Sequence, residues 1–120
     1  MAGESMTLYG IPGCDTVRKA RRWLDEHDVG YAFHDFRKDG LDAARVEVWI
    51  DALDDWGALV NRRGTTWRRL DDAAKENLDR ERVVALLVEH PTLVKRPVLT
   101  RGERVLVGFE KDLWTRLVLG

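Results

Sequence analysis

The sequence predicts an α/β protein in which a strand–helix–strand unit and a strand–strand–helix unit flank a helical middle. Three observations support this fold class. A short apolar run leads into a glycine- and proline-rich loop at 10–13, and an amphipathic helical pattern follows it. Residues 31–36 alternate as a strand does. Two short apolar runs at 97–100 and 104–107 enclose a turn, which is typical of a hairpin.

The first unit is predicted from strand and helix periodicity. Thr7-Leu8-Tyr9 is expected to end the first strand. The helix after the loop should have about four turns and end at Gly30, and its apolar face comprises Val17, Ala20, Leu24 and Val29. The strand at 31–36 then completes a β-α-β unit, which is normally a right-handed crossover between parallel strands.

The middle of the chain, between the strand at 31–36 and the hairpin, is predicted to be helical. Its helices are expected over 41–53, over 56–60 capped by Asp55, over 67–70 capped by Thr65 or Thr66, and from Asp79 to Pro91. A last helix from about Lys111 should turn four apolar residues inward, namely Leu113, Trp114, Leu117 and Val118. A thioredoxin-like fold has these terminal units in this order.

Length and composition limit the class of protein further. The chain has 120 residues, of which 34% are charged, and a formal net charge of −1. This size is sufficient for one domain with a hydrophobic core, and the charge gives no sign of a nucleic-acid partner. A single cysteine excludes an internal disulfide, and no apolar run reaches the ~18 residues of a membrane span. We therefore expect a single-domain cytoplasmic monomer without a membrane or direct nucleic-acid partner.

The one cysteine, Cys14, lies between the first strand and the first helix. At or near the helix N-cap, free backbone N–H groups and the helix dipole favour an anion, and a thiolate is an anion. The dipole contributes only about 0.3–1 kcal/mol, so a useful nucleophile needs a second positive group. Arg18, one turn further on the same face, is a candidate. The alternative is that Cys14 is a small buried apolar residue.

Three segments of the chain together resemble one protein family. They are Tyr9–Thr16 (YGIPGCDT), 61–67 (NRRGTTW), and 95–98 (KRPV) with 107–109 (VGF). With these segments the chain resembles the arsenate-reductase-related family, the ArsC-like branch of the thioredoxin superfamily, especially its YffB-type members. It is also similar to the Spx-type regulators. The resemblance implies a thioredoxin-like core over about 6–37 and 92–120, with a helical insertion over about 38–91.

The resemblance also implies a site. The residue that attacks the substrate would be Cys14, and the substrate- or glutathione-binding residues would be Gly13, Arg18, Arg63, Arg96 and Pro97. Pro97 would follow a cis peptide bond and face the cysteine. Spx-type spacing selects Arg63, whereas arsenate-reductase spacing falls on Asn61, and the choice between Arg62 and Arg63 stays open. The resemblance also shows two departures, since the arsenate-reductase pattern has a histidine in place of Gly10 and a third arginine in place of Gly108. Each arginine has a simpler interpretation, as a solvated loop, a helix-surface charge or an extended connector.

These features predict a thiol-dependent reductase. A C-x-x-C motif would need its second cysteine at Val17, so an external thiol must regenerate Cys14, and glutathione is the expected co-substrate. The substrate would be a small oxyanion or a glutathione mixed disulfide. We expect no bound cofactor and no metal, because His27, His34 and His90 lack ligand spacing. The alternative is a non-catalytic Spx-like module that binds a protein of the transcription machinery.

Overall fold

The computed structural model describes residues 5–120. Its strands are β1 (Met6–Gly10), β2 (Ala32–Asp35), β3 (Val98–Arg101) and β4 (Arg104–Val107). Its helices are α1 (Asp15–Glu26), α2 (Phe36–Asp39), α3 (Ala43–Leu53), α4 (Thr65–Arg69), α5 (Asp72–Lys75), α6 (Arg80–Glu89) and α7 (Lys111–Leu119). Two 3₁₀ turns, Trp56–Leu59 and Pro91–Leu93, complete the helical segment between β2 and β3.

The four strands form one sheet in the order β2-β1-β3-β4. β1 and β2 are parallel, as expected for strands joined by a helix, while β3 is antiparallel to both of its neighbours. The β3–β4 hairpin turns at Gly102, whose φ of 58° lies in the left-handed region that favours glycine. This arrangement confirms the predicted α/β class and the thioredoxin-like order of elements.

Helices cover both faces of the sheet. Successive residues of a strand point to opposite faces, so Leu8 and Tyr9 of β1 enter different core clusters. Leu8 packs with residues of α1 and α7, including Leu24 and Trp114. Tyr9 packs with the helical segment, including Trp49 of α3. Within residues 5–120, no helix is both long and apolar enough to cross a bilayer.

The ends of α1 and β2 differ from the prediction. α1 ends at Glu26, because Asp28 adopts a left-handed φ of 55° and the Val29 N–H turns back to the Leu24 carbonyl at 3.0 Å. Val29 still packs against the core, although it lies in the loop after α1. Its apolar side chain therefore indicated burial and not a fourth turn of helix. Phe36 opens α2 instead of closing β2, since the Asp35 side chain accepts the Arg37 N–H.

Two predicted helix caps are confirmed and one is wrong. Asp55 caps the 3₁₀ turn and Asp79 caps α6, each through its carboxylate. α4, however, begins at Thr65 itself with Gly64 as its N-cap. The Thr66 hydroxyl is instead 2.7 Å from that of Thr92, which lies far along the chain.

One of the four residues predicted to face inward on α7 does not. Leu113 is 45% exposed, because Trp114 and Leu117 already occupy the buried face of this helix.

Candidate functional site

The end of β1, the start of β3 and the end of β4 lie together at one end of the sheet. This line of strand ends is called the site edge of the sheet. Tyr9 pairs with Val98, so the chain that continues from β1 to Cys14 begins beside Pro97. On the other side of Pro97, its carbonyl accepts the Gly108 N–H at 2.8 Å. The Arg96–Pro97 peptide bond is cis, as the resemblance implied. Cys14, Pro97 and Gly108 therefore belong to the site edge.

Cys14 is the N-cap residue of α1, as predicted. Its backbone is extended, with φ −79° and ψ 127°, and its side chain makes no capping hydrogen bond. The residue is half-buried and packs against the core cluster on the Tyr9 face of the sheet. The thiol is thus at the start of a helix, where free N–H groups favour a negative charge. Gly13 beside it is exposed, with nothing within 4 Å of the position of a Cβ.

Arg18 is held by the neighbour of the cysteine. Its guanidinium forms an ion pair with Asp15 across one turn of α1, and both side chains are largely exposed. In this structure Arg18 is therefore a helix-surface charge, which is the simpler of its two interpretations. Arg18 is still one turn from Cys14, but its charge is paired with the carboxylate of Asp15, the residue after the cysteine.

Arg96 is the most constrained of the predicted arginines. Its Nη1 donates to the Thr92 carbonyl at 2.9 Å, and Thr92 is itself tied to Thr66 of α4. Its Nε is buried and has no hydrogen-bond partner in residues 5–120. The Nε of Arg101 has the same property, but Arg101 lies at the far edge of the sheet and donates to carbonyls at the end of α7. A buried N–H without a partner carries a desolvation cost that an anion beside Arg96 would remove.

A short antiparallel bridge brings the basic loop, residues 61–63, close to the segment that contains Arg96. Val60 pairs with Val94, and this bridge places the loop 61–63 next to Lys95, the residue before Arg96. Between them lies a groove of about 530 Å³. It is lined by Asp55, Gly57, Ala58, Val60, Asn61, Arg62, Arg63 and Lys95. Arg63 is exposed in this groove, as is Arg62.

Comparison with known proteins identifies the family. The sequence profile of the ArsC family matches residues 9–117, nearly the whole chain. The chain belongs to the ArsC family. Among solved structures, the YFFB protein has 44% sequence identity and a TM-score of 0.91, and the match covers 95% of this chain and 99% of that one. An arsenate reductase (ArsC) related protein from Brucella melitensis has 40% identity and a TM-score of 0.74, with 97% and 96% covered.

A further relative is a global transcriptional regulator, Spx of Listeria innocua. It is 28% identical over 108 residues, which cover 89% of this chain and 82% of that protein. The match to both groups confirms the resemblance that the three sequence segments indicated. The roles of Cys14, Gly13, Arg18, Arg63, Arg96 and Pro97 stay predictions.

Two glycines distinguish this ArsC-family chain at its site. Gly10 stands where the arsenate-reductase pattern has a histidine, and a Cβ there would come within 2.7 Å of a methyl of Val17. Gly108 stands where that pattern has a third arginine, and its φ of 82° disfavours any other residue. The local backbone therefore disfavours a histidine at position 10 and an arginine at position 108.

Lys95 and Trp67 are site residues that the sequence analysis did not single out. The Lys95 side chain lies over Gly108, with its Cε 3.6 Å from the position of a Cβ there. The Arg62 guanidinium lies 5.5 Å from the centroid of the Trp67 ring, a cation–π distance. Both residues lie within the segments that carry the resemblance, yet only the fold places Lys95 in the groove lining and Trp67 against Arg62. In the described part of the chain, no group of three acidic, histidine or cysteine side chains is arranged to hold a metal ion.

Proposed function

We propose that this ArsC-family protein is a cytoplasmic thiol-dependent reductase in which Cys14 attacks a glutathione mixed disulfide. The observation that supports this proposal most strongly is the shared edge of the sheet. It combines a cysteine at a helix N-cap with Arg96, whose buried Nε has no partner in residues 5–120. A nucleophilic sulfur at the same end of the sheet as an arginine with an unpaired Nε–H suits a substrate that carries both a reactive sulfur and an anion.

The proposed reaction has two exchange steps. The Cys14 thiolate attacks the glutathionyl sulfur, the S–S bond breaks, and the other sulfur leaves as a thiolate. A second glutathione thiolate then attacks the glutathionyl group on Cys14, which re-forms the Cys14 thiolate and releases glutathione disulfide. The mixed disulfide is reduced to a free thiol and one glutathione thiol is oxidised. That glutathione joins the glutathionyl group of the substrate in glutathione disulfide, and the proton that it loses is taken up by the leaving thiolate.

Val17 supports the need for an external thiol. It occupies the place of a second cysteine in a C-x-x-C motif, and it is fully buried against Gly10. A resolving thiol is therefore missing from the chain, and a small soluble thiol must complete the cycle. Glutathione suits this role in the proposal because its carboxylates complement Arg96 and the basic groove.

The first prediction tests this chemistry directly. Incubation with glutathione disulfide should add one glutathionyl group to the protein, and excess reduced glutathione should remove it, because Cys14 is the only cysteine. Intact-mass spectrometry measures the adduct, and Cys14→Ser is the control that must stay unmodified. An unmodified wild-type protein that a small neutral disulfide labels readily would contradict the glutathione part of the proposal.

A second candidate function is a non-catalytic interaction module. The 28% identity to a global transcriptional regulator over most of both chains favours it. Binding of purified RNA polymerase to the immobilised protein would support this candidate, provided that Cys14→Ser binds equally well. The buried Val17 argues against a C-x-x-C redox switch, though not against binding.

A further inference from the structure

We propose that the groove between the loop 61–63 and Lys95 binds the carboxylate-bearing arm of the disulfide substrate. This inference rests on the proposed function and specifies its substrate class. The preferred substrates would be disulfides of acidic peptides such as glutathione, and small oxyanions would leave the groove empty.

The lining of the groove has an excess of positive charge. Arg62, Arg63 and Lys95 line it together with a single carboxylate, Asp55. The Asp55 Oδ1 already accepts the Gly57 N–H at 2.9 Å as part of a helix cap. The three cations therefore face a groove in which one acidic side chain is already engaged, and a carboxylate from a ligand complements them.

Two of these cations are positioned by contacts with other residues. Arg62 lies over Trp67 at 5.5 Å, and the Lys75 ammonium also lies 5.3 Å from that ring. Such contacts limit the conformations of a long side chain before a ligand arrives. The Lys95 stem runs over Gly108, where a side chain at position 108 would otherwise lie. The glycine that removes an arginine from the arsenate-reductase pattern thus leaves room for Lys95.

The groove and the cysteine lie on the same side of the sheet. Cys14 packs against the core cluster that contains Val60 and Val94, the two residues of the bridge that brings the loop 61–63 next to Lys95. The chain from Lys95 continues through Arg96 to Pro97, which is adjacent to the Cys14 segment at the sheet edge. Only Arg96 separates Lys95 from Pro97, so we propose that an extended peptide disulfide places its sulfur at Cys14 and its carboxylate in the groove. Arsenate is too small to reach both.

The test compares an anionic and a neutral disulfide. The second-order rate of reaction with Cys14 is measured for glutathione disulfide and for 2-hydroxyethyl disulfide, and their ratio defines a selectivity. Each of the variants Lys95→Gln and Arg62→Gln should lower this selectivity about two- to fivefold, because each removes one solvent-exposed ion pair with the carboxylate of the ligand. The fall should diminish at high salt. Arg104→Gln is the matched control, because Arg104 is an exposed cation at the far end of the hairpin, and its selectivity should stay unchanged.

The outcomes separate this inference from the function on which it rests. If the neutral disulfide reacts with Cys14 but Lys95→Gln and Arg62→Gln keep the wild-type selectivity, the groove is not the carboxylate subsite and the inference is wrong. An equal fall in Arg104→Gln would attribute the effect to net charge and would also overturn it. If neither disulfide reacts with Cys14, the proposed function itself fails, and the subsite fails with it.

Discussion

At the scale of single residues, Gly10 determines how closely the first helix approaches the first strand. Val17 is fully buried directly beneath it, and a β-branched side chain in a helix has one strongly preferred χ1 rotamer. The valine cannot rotate away from a new Cβ at small cost. Close packing of β1 against α1 therefore requires glycine, and this requirement excludes the histidine of the arsenate-reductase pattern.

This packing leads to a prediction for stability. Gly10→Ala should lower the free energy of unfolding by about 1–3 kcal/mol, because its Cβ overlaps the Val17 methyl. Gly13→Ala is the matched control, since nothing lies within 4 Å of a Cβ at that position. It should be neutral or stabilising by up to about 1 kcal/mol through the unfolded state. Urea denaturation measures both, and equal stabilities of the two variants would contradict the steric argument.

At the scale of elements, the start of α1 combines opposing charges near one thiol. The free N–H groups of the helix favour the thiolate of Cys14, whereas the adjacent Asp15 carboxylate opposes it. Asp15 also holds Arg18 in an ion pair at the helix surface. The helix dipole favours the negative charge of Asp15 in the first turn of α1, and this charge in turn reduces the reactivity of Cys14.

Removal of that carboxylate should increase the reactivity of Cys14. In Asp15→Asn, alkylation by iodoacetamide at neutral pH should accelerate about two- to fivefold, since an exposed charge interaction is worth up to about 1 kcal/mol. Arg18 is then also released to interact with the thiolate. Asp25→Asn, at the other end of α1, is the control and should react at the wild-type rate. A slower or unchanged reaction of Asp15→Asn would show that Asp15 and Arg18 do not influence the thiol.

At the scale of the whole molecule, the fold places a thioredoxin-like sheet edge beside a basic groove from the helical segment. Two charged groups of the arsenate-reductase pattern are replaced by glycines, and Lys95 occupies part of the space. A lysine provides a point charge, whereas an arginine offers a fork of donors that matches an oxyanion. These differences support the proposed preference for a carboxylate-bearing disulfide over a compact oxyanion.

We accordingly expect little or no glutathione-coupled arsenate reduction. Each lost charge-assisted contact to a buried oxyanion is worth roughly 1.5–3 kcal/mol, so two losses reduce the rate or affinity by about 10²–10⁴. A coupled assay with glutathione measures the turnover, and Cys14→Ser supplies the background. Robust turnover that disappears in Cys14→Ser would contradict this prediction and favour the plain arsenate-reductase activity.

The sequence by itself determined the features that depend on near neighbours along the chain. Apolar periodicity identified the longer helices α1, α3, α6 and α7, and two apolar runs around a turn identified the hairpin. The Asp55 and Asp79 caps each involve a backbone N–H two or three residues away. The place of Cys14 at the start of α1 followed from the glycines and proline before it. Local propensity failed where burial was decisive, as at Val29, which is apolar because it packs from a loop.

Only the tertiary structure decided which distant residues share the site. The Val60–Val94 bridge brings the basic loop to Lys95, and the Thr66–Thr92 contact supports Arg96 from a helix much earlier in the chain. These contacts depend on how the whole helical segment packs against the sheet, and no local pattern in the sequence encodes that packing. The partner of Arg18 was also undecided, because several carboxylates lie within reach along α1. In the structure its side chain pairs with Asp15. The groove next to the Arg96 segment likewise forms only when the chain is folded.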